Sequence, residues 1–279
     1  MKQKLSSAVL AAVSLGLMLV ATVLQAIAVA TVYDPDANYF LAETALPTVA
    51  VTLGIAGAIL GTASACLFGK GEEGATPFSD KLYPALPLAL GAIAGAILLL
   101  LSSQGTLGTL AAILLLGAAI YTLLAEASIR DTAPATVALL GFLPVVACAI
   151  LTAYYYFDTS IEMNAPFKVL LQTALLFAML YFTGELRFLL DRKHPRLYLS
   201  LGACTLAASL LCASAILPAF LLGATDRMDY LAGAVAALGI AITVIFRMLH
   251  FIIPAKTDSV DLPVEPTEAL ADEQEEHPE

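Results

Sequence analysis

The residues with the strongest claim to chemistry lie between Asn164 and Arg196. There an apolar stretch carries Lys168, Gln172, Thr183, Glu185 and Arg187, then runs into Asp191, Arg192, Lys193 and Arg196. At its leading end Asn164, Lys168 and Gln172 supply an ammonium and two amides, donors suited to an anion such as a substrate carboxylate or a lipid head group. At about 100° per residue, Lys168, Gln172, Thr183 and Arg187 share one stripe of a helix and Glu185 points elsewhere. The alternative reading is anchoring: Lys168 snorkels to the interface and Gln172 bonds a neighbouring helix.

At the trailing end, Arg187 and Asp191 stand at i,i+4, as do Glu126 and Arg130 earlier in the chain. That spacing lets opposite charges pair along a helix. Glu185 then needs a partner from another helix, and Arg130 is the candidate. The competing account makes these charges topology signals and interfacial anchors. Tyr121, Glu126, Asp131 and Pro134 also recur about 60 residues later as Tyr181, Glu185, Asp191 and Pro195. Parallel repeats of this kind occur in transporters, although two spans with their loops give a similar spacing.

A catalytic set is missing. The chain has no HExxH zinc helix, no nucleophile elbow and no phosphate-binding loop. His194, His250 and His277 stand apart from one another. Cys66, Cys148, Cys204 and Cys212 all fall in apolar runs without metal-ligand spacing and read as small buried hydrophobes. We assign no catalytic residue, metal or cofactor and read the protein as non-enzymatic.

The elements that position these residues follow from composition. The chain is 60% hydrophobic and 13% charged, against about 25% charged in a soluble domain. Apolar runs of roughly 20 residues, the length that spans a bilayer, fall near 8–32, 46–68, 85–101, 106–125, 135–157, 167–190, 197–222 and 230–246. The fold class is therefore all-α: a polytopic bundle of about eight transmembrane helices over 1–256, followed by an acidic tail at 257–279. The tail carries nine acids and neither Lys nor Arg, so most of the net charge of −10 belongs to it. It reads as disordered, and the Gly/Pro-containing loop from Gly69 to Pro84 as mobile. The first run, behind Lys2 and Lys4, reads as an uncleaved helix, with a cleaved signal peptide as the other reading. Gly57-xxx-Gly61 and Gly91-xxx-Gly95 are close-packing faces that serve either internal packing or association with a second copy or partner protein. The acidic tail is a second possible partner surface.

With eight spans both termini share one side. Of the 13 Lys and Arg residues, all but Lys168 and Arg227 then fall on that side, which the positive-inside rule makes cytoplasmic. The partner of the chain is the lipid bilayer. Nucleic acid is excluded by the lack of a basic patch.

The run Asn164, Pro166, Lys168, Gln172, Glu185 and Arg187 resembles uncharacterised multi-pass membrane proteins of Gram-positive anaerobic bacteria, over roughly the fifth to seventh spans. The resemblance implies a bacterial plasma membrane and no particular activity. Function is thus expected to be an assembly, envelope or sensory role. The alternative is a transporter for a small or lipid-like solute, marked by a polar cavity between the fourth, sixth and eighth spans.

Overall fold

The computed structural model describes residues 2–67, 76–79, 81–102, 105–127 and 129–252. Their order is α1 (Lys2–Val32), β1 (Tyr33–Asp34), β2 (Tyr39–Phe40), α2 (Leu46–Leu67), α3 (Leu86–Ser102), α4 (Thr106–Ala125), α5 (Ile129–Thr132), α6 (Pro134–Leu140), α7 (Phe142–Phe157), α8 (Pro166–Leu189), α9 (Pro195–Leu221) and α10 (Met228–Ile252). This is an all-α bundle. Among the described residues, seven stretches are long and apolar enough to cross a membrane, with α6 and α7 counted as one. The apolar α3 has 17 residues, about 25 Å at 1.5 Å per residue, somewhat short of the roughly 30 Å hydrocarbon core. The acidic tail at 257–279 lies outside the described residues, as do 68–75 and 80 of the loop read as mobile.

Local chemistry explains the helix boundaries. Pro134, Pro166 and Pro195 open α6, α8 and α9, where their fixed φ suits a first turn and their missing N–H costs nothing. Pro144 lies just inside α7; it cannot donate to the carbonyl four residues back, and the expected fifth span breaks there into α6 and α7. Gly141 sits at the break, where a Cβ would come within 2.5 Å of Leu186 Cδ2.

The bundle inverts the usual size rule. Small residues point inward: Ala92, Ala96, Ala111, Ala178, Ala232 and Ala241 are among many buried alanines. Large ones such as Val23, Ile59, Leu90, Ile113 and Leu180 point outward. In lipid, apolar surface gains nothing by hiding, and association comes from close backbone packing. The glycine faces do this work within the chain. Cβ atoms at Gly57 and Gly61 would collide with Met18 of α1 and Ala203 of α9. At Gly91 and Gly239 they would collide with the backbone of α10 and of Pro87. Both GxxxG faces are thus packed within the chain. Polar side chains stitch the same contacts. Ser7 and Ser64 each donate to the other's carbonyl (3.1 and 2.9 Å), Ser14 donates to Gly57 O at 2.7 Å, and Thr243 of α10 accepts the Leu88 N–H at 3.0 Å, capping α3.

The two ends of the bundle differ. One gathers the start of α1, the ends of α2, α4 and α8 and the end of α10; we call it the terminal end. The other carries the β1–β2 hairpin, the α7–α8 loop and the start of α10; we call it the hairpin end.

Candidate functional site

At the hairpin end, Lys168 and Asn164, two of the three residues expected to receive an anion, are occupied by the protein itself. The Lys168 side chain is fully buried rather than snorkelled. Its Nζ donates to the carbonyls of Asp158 (2.5 Å) and Ile161 (3.3 Å). These are backbone groups of the α7–α8 loop that helix ending leaves unpaired, so Lys168 staples the loop to α8. Asn164 is exposed and accepts at 2.5 Å from Tyr39 of the hairpin, whose hydroxyl also reaches Glu162 at 2.7 Å. Gln172 keeps Nε2 buried without a partner. The three residues therefore form no common anion cradle.

Beside them lies a charge cluster centred on Arg227. Arg227 forks onto Asp229 (2.9 and 2.6 Å), and also reaches Asp158 Oδ2 at 2.7 Å and Ser160 at 2.6 Å. Its guanidinium lies over Tyr230, 4.9 Å from the ring centre. Burial works against charge on Asp158, but hydrogen bonds from Ser160 and then Arg227 hold its carboxyl below the usual value. The cluster ties the end of α7 to the start of α10.

A second cluster closes the terminal end. Arg247 of α10 donates through Nε to Glu126 Oε1 at 2.8 Å and through Nη1 to Glu185 Oε1. All three side chains have essentially no exposure. Glu126 also accepts the Ser79 N–H at 2.5 Å, and Tyr121 donates to Glu185 at 3.4 Å. Phe78 is 4% exposed and lies against the Arg247 guanidinium, 5.4 Å from ring centre to Cζ. Part of the loop expected to be mobile is therefore folded into the bundle as a plug. Tyr181 and Tyr198, hydrogen-bonded to each other, complete the buried polar layer.

This geometry revises the expected ion pairs. The partner of Glu185 is Arg247, not Arg130, which pairs with Asp131 at 3.2 Å. Glu126 caps the end of α4 and turns to Arg247, because the helix stops before Arg130 and the i,i+4 register is lost. Asp191 lies past the end of α8 with φ +56° and meets Lys193 at 3.3 Å, so the helical spacing from Arg187 is lost as well. Arg247 was placed beyond the eighth span. In the structure α10 runs on to Ile252, and two carboxylates make it possible to bury that arginine.

Where the fourth, sixth and eighth spans (α4, α8 and α10) converge, the buried cluster of Glu126, Glu185 and Arg247 occupies the place expected for a polar cavity. A large cavity lies elsewhere. α2 and α8 both pack on α9 and leave a groove of about 530 Å³ between them. Its floor is α9, at Cys204, Ala207, Ala208 and Leu211, and Asn164 and Phe40 stand at the hairpin end. None of the lining residues is charged. One is polar and deeply buried: Gln25 of α1, 1% exposed, with Oε1 lacking any hydrogen-bond partner. Cys66, by contrast with the buried Cys148 and Cys212, is exposed, and Cys204 is part-exposed in the groove.

The sequence signal for Gln25 was its place as the lone amide in the first apolar run. For Arg247 the signal was Glu126 and Glu185, two acids at the ends of apolar runs that share Arg130 as their one expected partner.

The fold and these sites define a multi-pass helical bundle of membrane type. No protein-family model, curated protein or solved structure matches the chain.

Proposed function

We propose that this is a non-enzymatic protein of the bacterial plasma membrane that binds a lipid-like molecule in the groove between α2 and α8. The observation that carries the reading is Gln25. A buried amide oxygen without a donor costs about 1–3 kcal/mol, and a ligand hydroxyl or amide N–H entering the groove would satisfy it. The groove volume falls within the range of small-molecule sites, roughly 300–1,000 Å³. Its uncharged lining suits a neutral amphiphile: a hydrocarbon body with a hydroxyl or amide near its chains. The terminal end faces the cytoplasm, as the loop charges favour, so the groove opens in the outer half of the bilayer. The dense cluster joining α4, α8 and α10 supports binding or sensing over passage of a small solute between those helices.

The experiment is native mass spectrometry of the full chain released from nanodiscs of host lipid. We expect a neutral amphiphile to remain bound to the wild type and to be lost from Ala208→Phe, which fills the groove floor. Wild-type protein that retains no such adduct, or Ala208→Phe that retains it, would sink the proposal.

A further inference from the structure

We propose that the cluster of Glu126, Glu185 and Arg247 is a proton-binding site that carries one added proton while the terminal end of the bundle is closed. The argument is charge balance among side chains closed to solvent. With both acids ionised the cluster carries one negative charge in excess, and an uncompensated buried charge is far more costly than a neutral acid. Among the described residues, Arg247 is the cation in ion-pair contact with the two carboxylates. Tyr121 from α4, Tyr181 from α8 and Tyr198 from α9 face the cluster and are neutral at ordinary pH. Arg130 from α5 reaches the Phe78 ring at 5.7 Å and pairs with Asp131 at 3.2 Å. The helices add to the imbalance. Glu126 stands at the C-terminal end of α4 and Glu185 in the last turns of α8, where the negative end of the helix dipole opposes a carboxylate. The amide of Ser79 offsets this for one oxygen of Glu126, and Glu185 has only the long Tyr121 bond besides Arg247.

A route to solvent adjoins the site. A cavity of about 420 Å³ at the terminal end is lined by Thr76, Phe78, Arg130, Asp131, Phe188 and Lys193, among others. Phe78 therefore borders this cavity and the Arg247 guanidinium at once. It is the barrier between them. Release transfers the proton from a carboxyl oxygen to water in the cavity. The carboxylate left behind makes the cluster net negative, which loosens the contacts that close α4, α8 and α10. The site thus gives a membrane bundle whose terminal end closes on taking up a proton and loosens on losing it.

The test is infrared spectroscopy of the full chain in lipid nanodiscs. Wild type should show a protonated-carboxyl carbonyl band at neutral pH that disappears as the pH is raised. Glu126→Gln and Glu185→Gln each restore neutrality without a proton and should each lose the band. Phe78→Ala should keep the band but speed its shift in deuterated buffer at least several-fold. If the Gln variants do not fold, the wild-type titration alone decides. A wild type without the band at neutral pH, or a band that survives both Gln substitutions, overturns the proposal; an exchange rate unchanged in Phe78→Ala overturns the role of Phe78 as barrier.

Discussion

Arg227 and Arg247 mark the two ends of α10, and each is gripped by two carboxylates from different parts of the chain. Arg227 holds Asp158 at 2.7 Å and Asp229 at 2.6 Å. Arg247 holds Glu126 at 2.8 Å and Glu185. At 1.5 Å per residue the two arginines are about 30 Å apart, roughly the thickness of the hydrocarbon core. α10 is therefore pinned at both ends, to α7 at one and to α4 and α8 at the other.

Removing Arg247 should be far worse than removing either of its partners. Arg247→Met leaves two buried carboxylates facing each other, a loss of about 3–5 kcal/mol. Glu185→Gln keeps the Glu126 pair and should cost much less. Thermal unfolding in one detergent measures both, and equal losses would contradict the arrangement.

Gln25→Leu should make the ligand-free protein more stable, by about 1–3 kcal/mol, since it removes a buried oxygen without a donor. The same change should lower retention of the bound amphiphile. A merely structural glutamine would show the opposite, lower stability with unchanged retention. Delipidated protein compared by thermal unfolding, alongside native mass spectrometry, separates the two.

The hairpin-end cluster predicts an acid limb in stability. The Asp158 carboxyl is held below its ordinary value of 3.8. A depressed acid contributes its full stability above the ordinary value and loses it as pH falls through the lowered one. The cluster should therefore stay intact at neutral pH and fail only in strong acid. Asp158→Asn should reduce stability at neutral pH and flatten that limb, read by melting temperature against pH.

Gly239→Ala should destabilise by about 1–3 kcal/mol, the usual cost of forcing atoms into a filled core. Its Cβ would sit 2.6 Å from Pro87 O, a backbone atom that cannot rotate away. Gly16, with nothing within 4 Å, is the control, and Gly16→Ala should be neutral or slightly stabilising. Cysteine crosslinking between α3 and α10 would report the separation directly.

What the sequence determined on its own is the class of structure. Runs of about 20 apolar residues with charges confined to their ends have one low-energy fate, because backbone groups in lipid must be satisfied within the helix. That logic placed the helices, including the sixth as the polar one, and marked Glu185 as an acid in need of a partner from another helix. Which charges meet was decided by tertiary structure. Glu126 and Arg247 are 121 residues apart, and no periodicity reaches that far. The local i,i+4 pairs failed because α4 and α8 stop too early, and helix ends are set by packing as much as by sequence. Lys168 looked like a ligand donor until the α7–α8 loop folded its carbonyls onto it. The groove could not be read at all: it is the space left where α2 and α8 rest on α9 without meeting. Such a space depends on three helices and their small residues together, and only the folded bundle turns Gln25 toward it.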